Sequence, residues 1–274
     1  MTDPFAHPPR DLVNLERYPL DDARRRAELA ERCRRELAAD SCVMLPGFVT
    51  EEATRRMVDE AMATLPRANR RDHHLTPYGP PRTDLPAGDP RTITSRNTMH
   101  AVAGDDIADS TGVQRLYRWD GLTRFIAEVV KADELHRVLD PIFNCNLSII
   151  GEGESHHWHF DSNDFVVTLL LQRAEAGGDF EFAPYIRSET DENYSGVAEV
   201  LRGGKRGVKT VRVEPGTLVL FCGKYSLHRV SPVDGKQKRI IALYSYDKRP
   251  DKMFSDENAL RVFNRRRVTR AAAD

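Results

Sequence analysis

The stretch HHWHFDSNDFVVTLLLQ, residues 156–172, carries the two signals from which the rest of the chain is read. Its second half is a long apolar run. At the start of that run His159 and Asp161 are separated by one residue. In an extended chain residues i and i+2 point to the same face. An imidazole and a carboxylate projecting together from a strand form half of a metal site. The other half is expected on a later strand, because closing strands bring distant positions together. Among the nine histidines, His228 fits best, since PGTLVLFCGKYSLHRVSP sets it just after a Pro-Gly turn and a buried strand. His157 also lies two residues from His159, but a 157/159 pair leaves Asp161 without a purpose.

The surroundings of this stretch read as β structure. After residue 142, NCNLSII, HHWHFD, DFVVTLLLQ, DFEFAP, GVKTVRVEP, TLVLFCG, LHRVSPV and KRIIALYSYD are separated by Gly, Pro and Asp/Asn turn signals. One helical insert, ETDENYSGVAEVLRGG, interrupts them at about 189–204. Many short antiparallel strands predict a sandwich or jelly roll. Helices dominate the earlier half. Residues 21–41 are strong helix formers with Leu29, Ala30, Cys33 and Leu37 at helical spacing. Residues 42–49 read as a buried strand, and Thr50 caps a second helix over about 51–64. Residues 91–102 alternate as a strand, and 120–140 hold one or two amphipathic helices.

Three segments read as irregular or peripheral. Residues 1–20 are Pro-rich and predict a surface arm. Residues 66–90 carry Pro66, Pro77, Pro80, Pro81, Pro86 and Pro90, which predicts a long loop and a candidate lid. The tail has five arginines between 261 and 270, the pattern of a solvated helix face. The expected organisation is one domain over 1–274: a helical buttress and lid region (1–140), a β core (141–250) and a C-terminal tail (251–274).

Composition narrows the classes of function. Lys plus Arg (41) and Asp plus Glu (42) cancel, which argues against a nucleic-acid binder. The four cysteines show neither metal spacing nor a disulfide framework and read as thiols in a reducing compartment. No run approaches membrane-spanning length and the first residues lack a signal-peptide pattern. A cytoplasmic enzyme of small molecules is the expectation, with no membrane partner; assembly as a homodimer stays open.

Two His and one carboxylate with open positions are the ligand set of non-haem Fe(II) oxygenases. Arg239 follows His228 by eleven residues. A turn at Val233-Asp234-Gly235-Lys236 makes a hairpin that brings it back toward the metal end. A guanidinium inside a barrel needs an anionic partner, and a small dicarboxylate chelating the iron supplies one. This order, H-x-D, a distant His, then Arg, resembles the Fe(II)/2-oxoglutarate-dependent dioxygenases. With GGDFEFAP, NYSGVAEVLRG, PGTLVLFCGKYSLHRVSPV and SYDKRP in sequence, the chain is most similar to the free amino-acid hydroxylases and lysine radical halogenases. The similarity covers roughly residues 140–255 well and the N-terminal part loosely.

The resemblance implies a mainly β fold, a double-stranded β-helix (jelly-roll, cupin-like) core with flanking N-terminal helices. It implies Fe(II) held by His159, Asp161 and His228, and Arg239 on the distal carboxylate of 2-oxoglutarate, with O2 as the oxidant. In the halogenases glycine replaces the carboxylate ligand and frees a position for chloride. Here that position is Asp161, so hydroxylation of an unactivated C–H, with release of succinate and CO2, is expected. Desaturation and ring closure use the same site. The alternatives are an oxygenase of a larger natural-product or carrier-bound substrate, and a non-catalytic cupin-like metal binder.

The substrate-side residues follow less directly. Thr168 interrupts an apolar strand and bonds either 2-oxoglutarate or a backbone carbonyl. Asn146 and Ser148 reach the barrel mouth in the same way. His156 points away from His159 if the strand is regular, yet the resemblance places a substrate-contacting histidine there. Trp158 reads as core packing. Period two sets Ser245 and Asp247 on the face of Arg239. The resemblance suggests Arg96 for a substrate carboxylate, and Arg96 with Asp247 together recognise a zwitterion such as a free amino acid.

Overall fold

The computed structural model describes residues 5–265. Its first helix, α1 (Ala23–Asp40), begins where the Asp22 side chain accepts the Arg25 N–H, and it ends at Ser41 in the left-handed region. It buries Leu29, Ala30, Cys33 and Leu37, the stripe expected from their spacing. Thr50 caps α2 (Glu51–Thr64) by accepting from the Ala53 N–H. α3 (Gly112–Arg118) and α4 (Asp120–Val130) follow. Of the one or two helices expected over 120–140, one forms, and it stops early, at Lys131 in the left-handed region. Beyond it, His136–Arg137 pairs with Tyr246–Asp247 instead.

Two antiparallel sheets build the β core. The larger has seven strands in the order Cys42–Leu45, Leu218–Phe221, Val166–Gln172, Arg239–Tyr244, Cys145–Ile150, Ser95–Val102 and Asn69–Leu75. The smaller runs Lys209–Val211, Phe180–Ala183, Leu227–Val230 and His156–His159. Strand alternation divides the large sheet's residues between two environments. Leu147, Ile149, Leu169, Leu220 and Ile240 share one apolar core with Met57 of α2 and Leu122, Phe125 and Ile126 of α4. Thr168, Leu170, Arg239 and Ile241 point the other way, into a space closed by Phe180, His228 and Val230 of the small sheet. This is the double-stranded β-helix, with α2 and α4 buttressing the large sheet. α5 (Tyr194–Leu201) packs outside the small sheet through Val197 and Val200, and α6 (Asp256–Phe263) lies by the far edge of the large one.

Phe125 is fully buried between α4 and the sheet. Phe125→Ala is expected to cost about 3–5 kcal/mol, transfer and cavity terms together, read as a lower urea midpoint at unchanged slope.

Two segments differ from expectation. Residues 69–75 are not loop: Asn69–Leu75 is an edge strand paired along its length with Ser95–Val102. NRRDHHL lacks apolar alternation because an edge strand is guarded by charge rather than by packing. The remaining loop docks Tyr78 against Phe160 and Tyr194, each at 5.6 Å between ring centroids. The N-terminal segment is not a surface arm either, for Leu12, Val13, Tyr18 and Leu20 are buried in the main core. All four cysteines are free thiols. No helix of the described residues is long and apolar enough to cross a membrane. Much of the arginine run, 266–270, lies outside the described residues.

Candidate metal centre

His159 ends its strand directly opposite His228 in the neighbouring one. That register brings the two imidazoles together, with ring centroids 4.0 Å apart and the planes tilted by 51°. Each ring is oriented by the main chain: Nδ1 of His159 lies 2.8 Å from the His157 carbonyl, and Nδ1 of His228 lies 2.9 Å from that of Ser226. A proton on Nδ1 leaves the Nε2 lone pairs for a metal. Nε2 of His159 is 3.7 Å from Oδ1 of Asp161, and Nε2 of His228 is 3.5 Å from Oδ2. The three donor atoms lie within 4.8 Å of one another.

Burial shapes the electrostatics. It pushes His159 down to about 3 and His228 to about 4, so both rings are neutral donors. It raises Asp161, whose Oδ2 is buried without a hydrogen-bond partner. A buried carboxylate oxygen facing two neutral imidazoles is a polar group still lacking its partner. A divalent cation supplies it, and this donor set suits Fe(II).

The loop holding Asp161 is shaped by Gly223, whose carbonyl accepts the Asp161 N–H at 3.1 Å. A Cβ at position 223 would stand 1.7 Å from Oδ2 of Asp161. Only glycine allows that approach. Gly223→Ala is expected to weaken Co(II) binding roughly 10–100-fold, as loss of a ligand's support does, with the far-ultraviolet dichroism of the apoprotein unchanged.

His156 reaches the site through an irregularity. His228 pairs with His159 but Val230 pairs with His156, so three steps of one strand face two of the other. This bulge turns His156 to the side of His159, where the rings stack at 4.0 Å and 25°. A regular strand would have aimed it away. His156, His157 and His159 form a second close nitrogen cluster, but it contains no carboxylate. Trp158 packs in the core of the small sheet under Arg229, 4.8 Å from its ring.

Two cavities meet at the triad, and His156 and Asp161 line both. The first, about 110 Å³, also holds His159, His228, Thr168 and Arg239 between largely apolar walls. Arg239 is only 6% exposed, its Nη1 has no partner among the described residues, and burial lowers it to about 10. The second cavity, about 270 Å³, is lined by Asn146, Ser148 and Ser245, together with Arg71. Ser148 therefore stands away from Arg239, with its hydroxyl 3.4 Å from Sδ of Met99.

Arg71 was not singled out in the sequence. Among the described residues its Nε is buried and unpartnered and its Nη1 reaches only Sδ of Met99, at 3.9 Å; burial lowers it to about 10. Reading 66–90 as a loop left this residue without a face; recognising the edge strand would have given it one. Arg96 and Asp247 are not brought to the site. Arg96 is exposed and holds Asp72 through two bonds of 3.0 and 2.8 Å. Asp247 accepts from the Arg249 N–H at 2.9 Å and lines neither cavity. The period-two face runs through Leu243 to Ser245, which lines the second cavity, and ends there, because the strand stops at Tyr244 and Asp247 pairs with His136.

A family model described as Halogenase D matches residues 25–264. The chain belongs to the halogenase D family. Solved structures share its fold. An oxidoreductase of the 2OG-Fe(II) oxygenase family from Burkholderia pseudomallei is 18% identical, with 81% of this chain and 92% of that one covered at a TM-score of 0.50. The epimerase SnoN from nogalamycin biosynthesis, solved with Fe3+ and α-ketoglutarate, is 16% identical over 81% and 87% at 0.53. A Pseudomonas putida prolyl-4-hydroxylase is 14% identical over 78% and 97% at 0.50. No protein of curated function matches. This halogenase D family member has the fold of the 2-oxoglutarate–iron(II) oxygenases, whose cofactors are Fe(II) and 2-oxoglutarate, and its donor set fits them. Within a family named for halogenation, the group that completes the cluster with the two imidazoles is nonetheless a carboxylate.

Proposed function

We propose that this halogenase D family member is a hydroxylase of a free amino acid, acting as one catalytic domain. The observation that carries this reading is Asp161, whose carboxylate faces both imidazoles; as a third protein ligand it would leave no open position there for a halide. His159, His228 and Asp161 hold Fe(II). Arg239, with Thr168 beside it, takes the distal carboxylate of 2-oxoglutarate by a charge-assisted, bidentate contact. Bound iron supplies oxidative decarboxylation and C–H oxidation. One oxygen atom of O2 enters the product and the other enters succinate, with CO2 released. The protein's part is to orient two small acids on either side of the donor set and to exclude water from apolar walls.

Arg71 supports a substrate carboxylate, since a buried guanidinium without an anion is costly. The cavity beside it, about 270 Å³, lies at the lower edge of the range for small-molecule sites, roughly 300–1,000 Å³. That size favours a free amino acid over a carrier-bound chain. Arg71→Ala is expected to raise the amino-acid KM roughly 10–100-fold, the worth of one hydrogen-bonded charge, and to leave the 2-oxoglutarate KM unchanged.

The test is succinate formation by iron-loaded protein across the free amino acids, with product mass recorded with and without chloride. A product heavier by one oxygen atom, insensitive to chloride, is expected. A chlorinated product overturns hydroxylation, and succinate formation that no free amino acid stimulates overturns the substrate class.

A further inference from the structure

We infer that the substrate of this site carries one anionic head and a neutral side chain ending in an apolar group. The inference rests on the amino-acid reading above and deepens it. Among the described residues lining the second cavity, Arg71 is the one cation and Asp161 the one carboxylate. Asp161 faces the two imidazoles of the metal centre, so it is not available to a distant substrate charge. A ligand with a basic side chain would bury a second cation with no counter-charge. A further cation, Arg261, acts on Arg71 from outside the cavity lining, which worsens that case. A second carboxylate fares little better, because Arg71 is already matched by the first.

The walls say what the side chain is. Phe143 and Phe254 stack with centroids 4.4 Å apart, and Phe263 meets Phe143 edge-on at 5.2 Å. All three line the cavity, with Val262 beside them. These rings present hydrocarbon and no hydrogen-bonding group. Neutral acceptors sit elsewhere on the wall, at Asn146, Ser148, Asn163 and Ser245, and suit the α-ammonium. The amide nitrogen of Asn146 is spent on the Ile142 carbonyl at 2.8 Å, which leaves its oxygen for a ligand. Two of the three rings come from the segment after residue 250: Phe254 and Phe263, the latter closing α6. The C-terminal segment, and not the Pro-rich loop, therefore sets what fits.

L-Norleucine and L-lysine make the sharpest comparison, since they share one carbon chain and differ by the terminal ammonium. Calorimetric titration of each is done on protein loaded with Fe(II) and 2-oxoglutarate without oxygen. L-Norleucine is expected to bind at least roughly tenfold tighter, the margin set by one unpaired charge. Phe254→Glu, which places a carboxylate on the apolar wall, is expected to narrow that ratio. L-Lysine binding as tightly as L-norleucine to the wild-type protein overturns the inference while leaving the free amino-acid reading intact. Binding of neither overturns the inference, and succinate formation in air that no free amino acid stimulates removes the free amino-acid reading with it. The wild-type comparison stands whether or not the variant folds.

Discussion

Asp161→Gly is expected to end hydroxylation while the protein stays folded. Asp161 lies on the loop after its strand and is held by a main-chain bond to Gly223, so removing the side chain leaves the sheet register intact. It also removes a buried carboxylate that burial already disfavours in its charged form. The apoprotein should therefore lose no stability. The loaded protein loses one of three donors. Removing even a ligand's supporting group costs roughly 10–100-fold in affinity or activity, so losing the ligand itself should exceed that. Product analysis by mass, with and without chloride, reads the outcome. Chlorinated product in the variant would mean that the freed position admits a halide. Hydroxylation at the native rate would mean that Asp161 does not hold the metal.

Arg239→Ala should give the second large effect, confined to the co-substrate. Its guanidinium is buried with an unpartnered Nη1, and the walls around it are largely apolar. Truncating one partner of a buried charge pair costs about 3–5 kcal/mol, which is roughly a 100-fold or greater rise in the 2-oxoglutarate KM. The amino-acid KM should hold, because Arg71 serves the other cavity. Arg239→Lys should recover only part of the loss, as an ammonium lacks the planar fork. Equal effects of Arg239→Ala on both KM values would contradict the division of the site into two cavities.

The double-stranded core and the meeting of His159, Asp161 and His228 were legible because their signals are local or periodic. His159 and Asp161 are two residues apart on a strand, and the α1 stripe of Leu29, Ala30, Cys33 and Leu37 follows helical spacing. Arg239 was legible because a buried cation demands an anion. The failures have physical causes too. Asn69–Leu75 is an edge strand whose pairing uses backbone groups alone, so its side chains carry no alternation, and Arg71 went unseen with it. Arg96 lies in the neighbouring strand but faces solvent and Asp72. His156 depends on a bulge, and no residue pattern announces an extra residue in one strand. Asp247 was placed by extending a period of two past the strand's end.

Both imidazoles are steered by carbonyl groups of the main chain, those of His157 and Ser226. Side-chain substitution cannot delete a carbonyl, so the aim of the two nitrogens survives drift at the positions that provide it. The carboxylate has no such insurance: it hangs from a loop and needs a bare glycine beside it. The metal site is thus a permanent mount with one interchangeable part. On the proposed reading, the codon for residue 161 alone separates a complete donor set from an open one, while both imidazoles keep their aim.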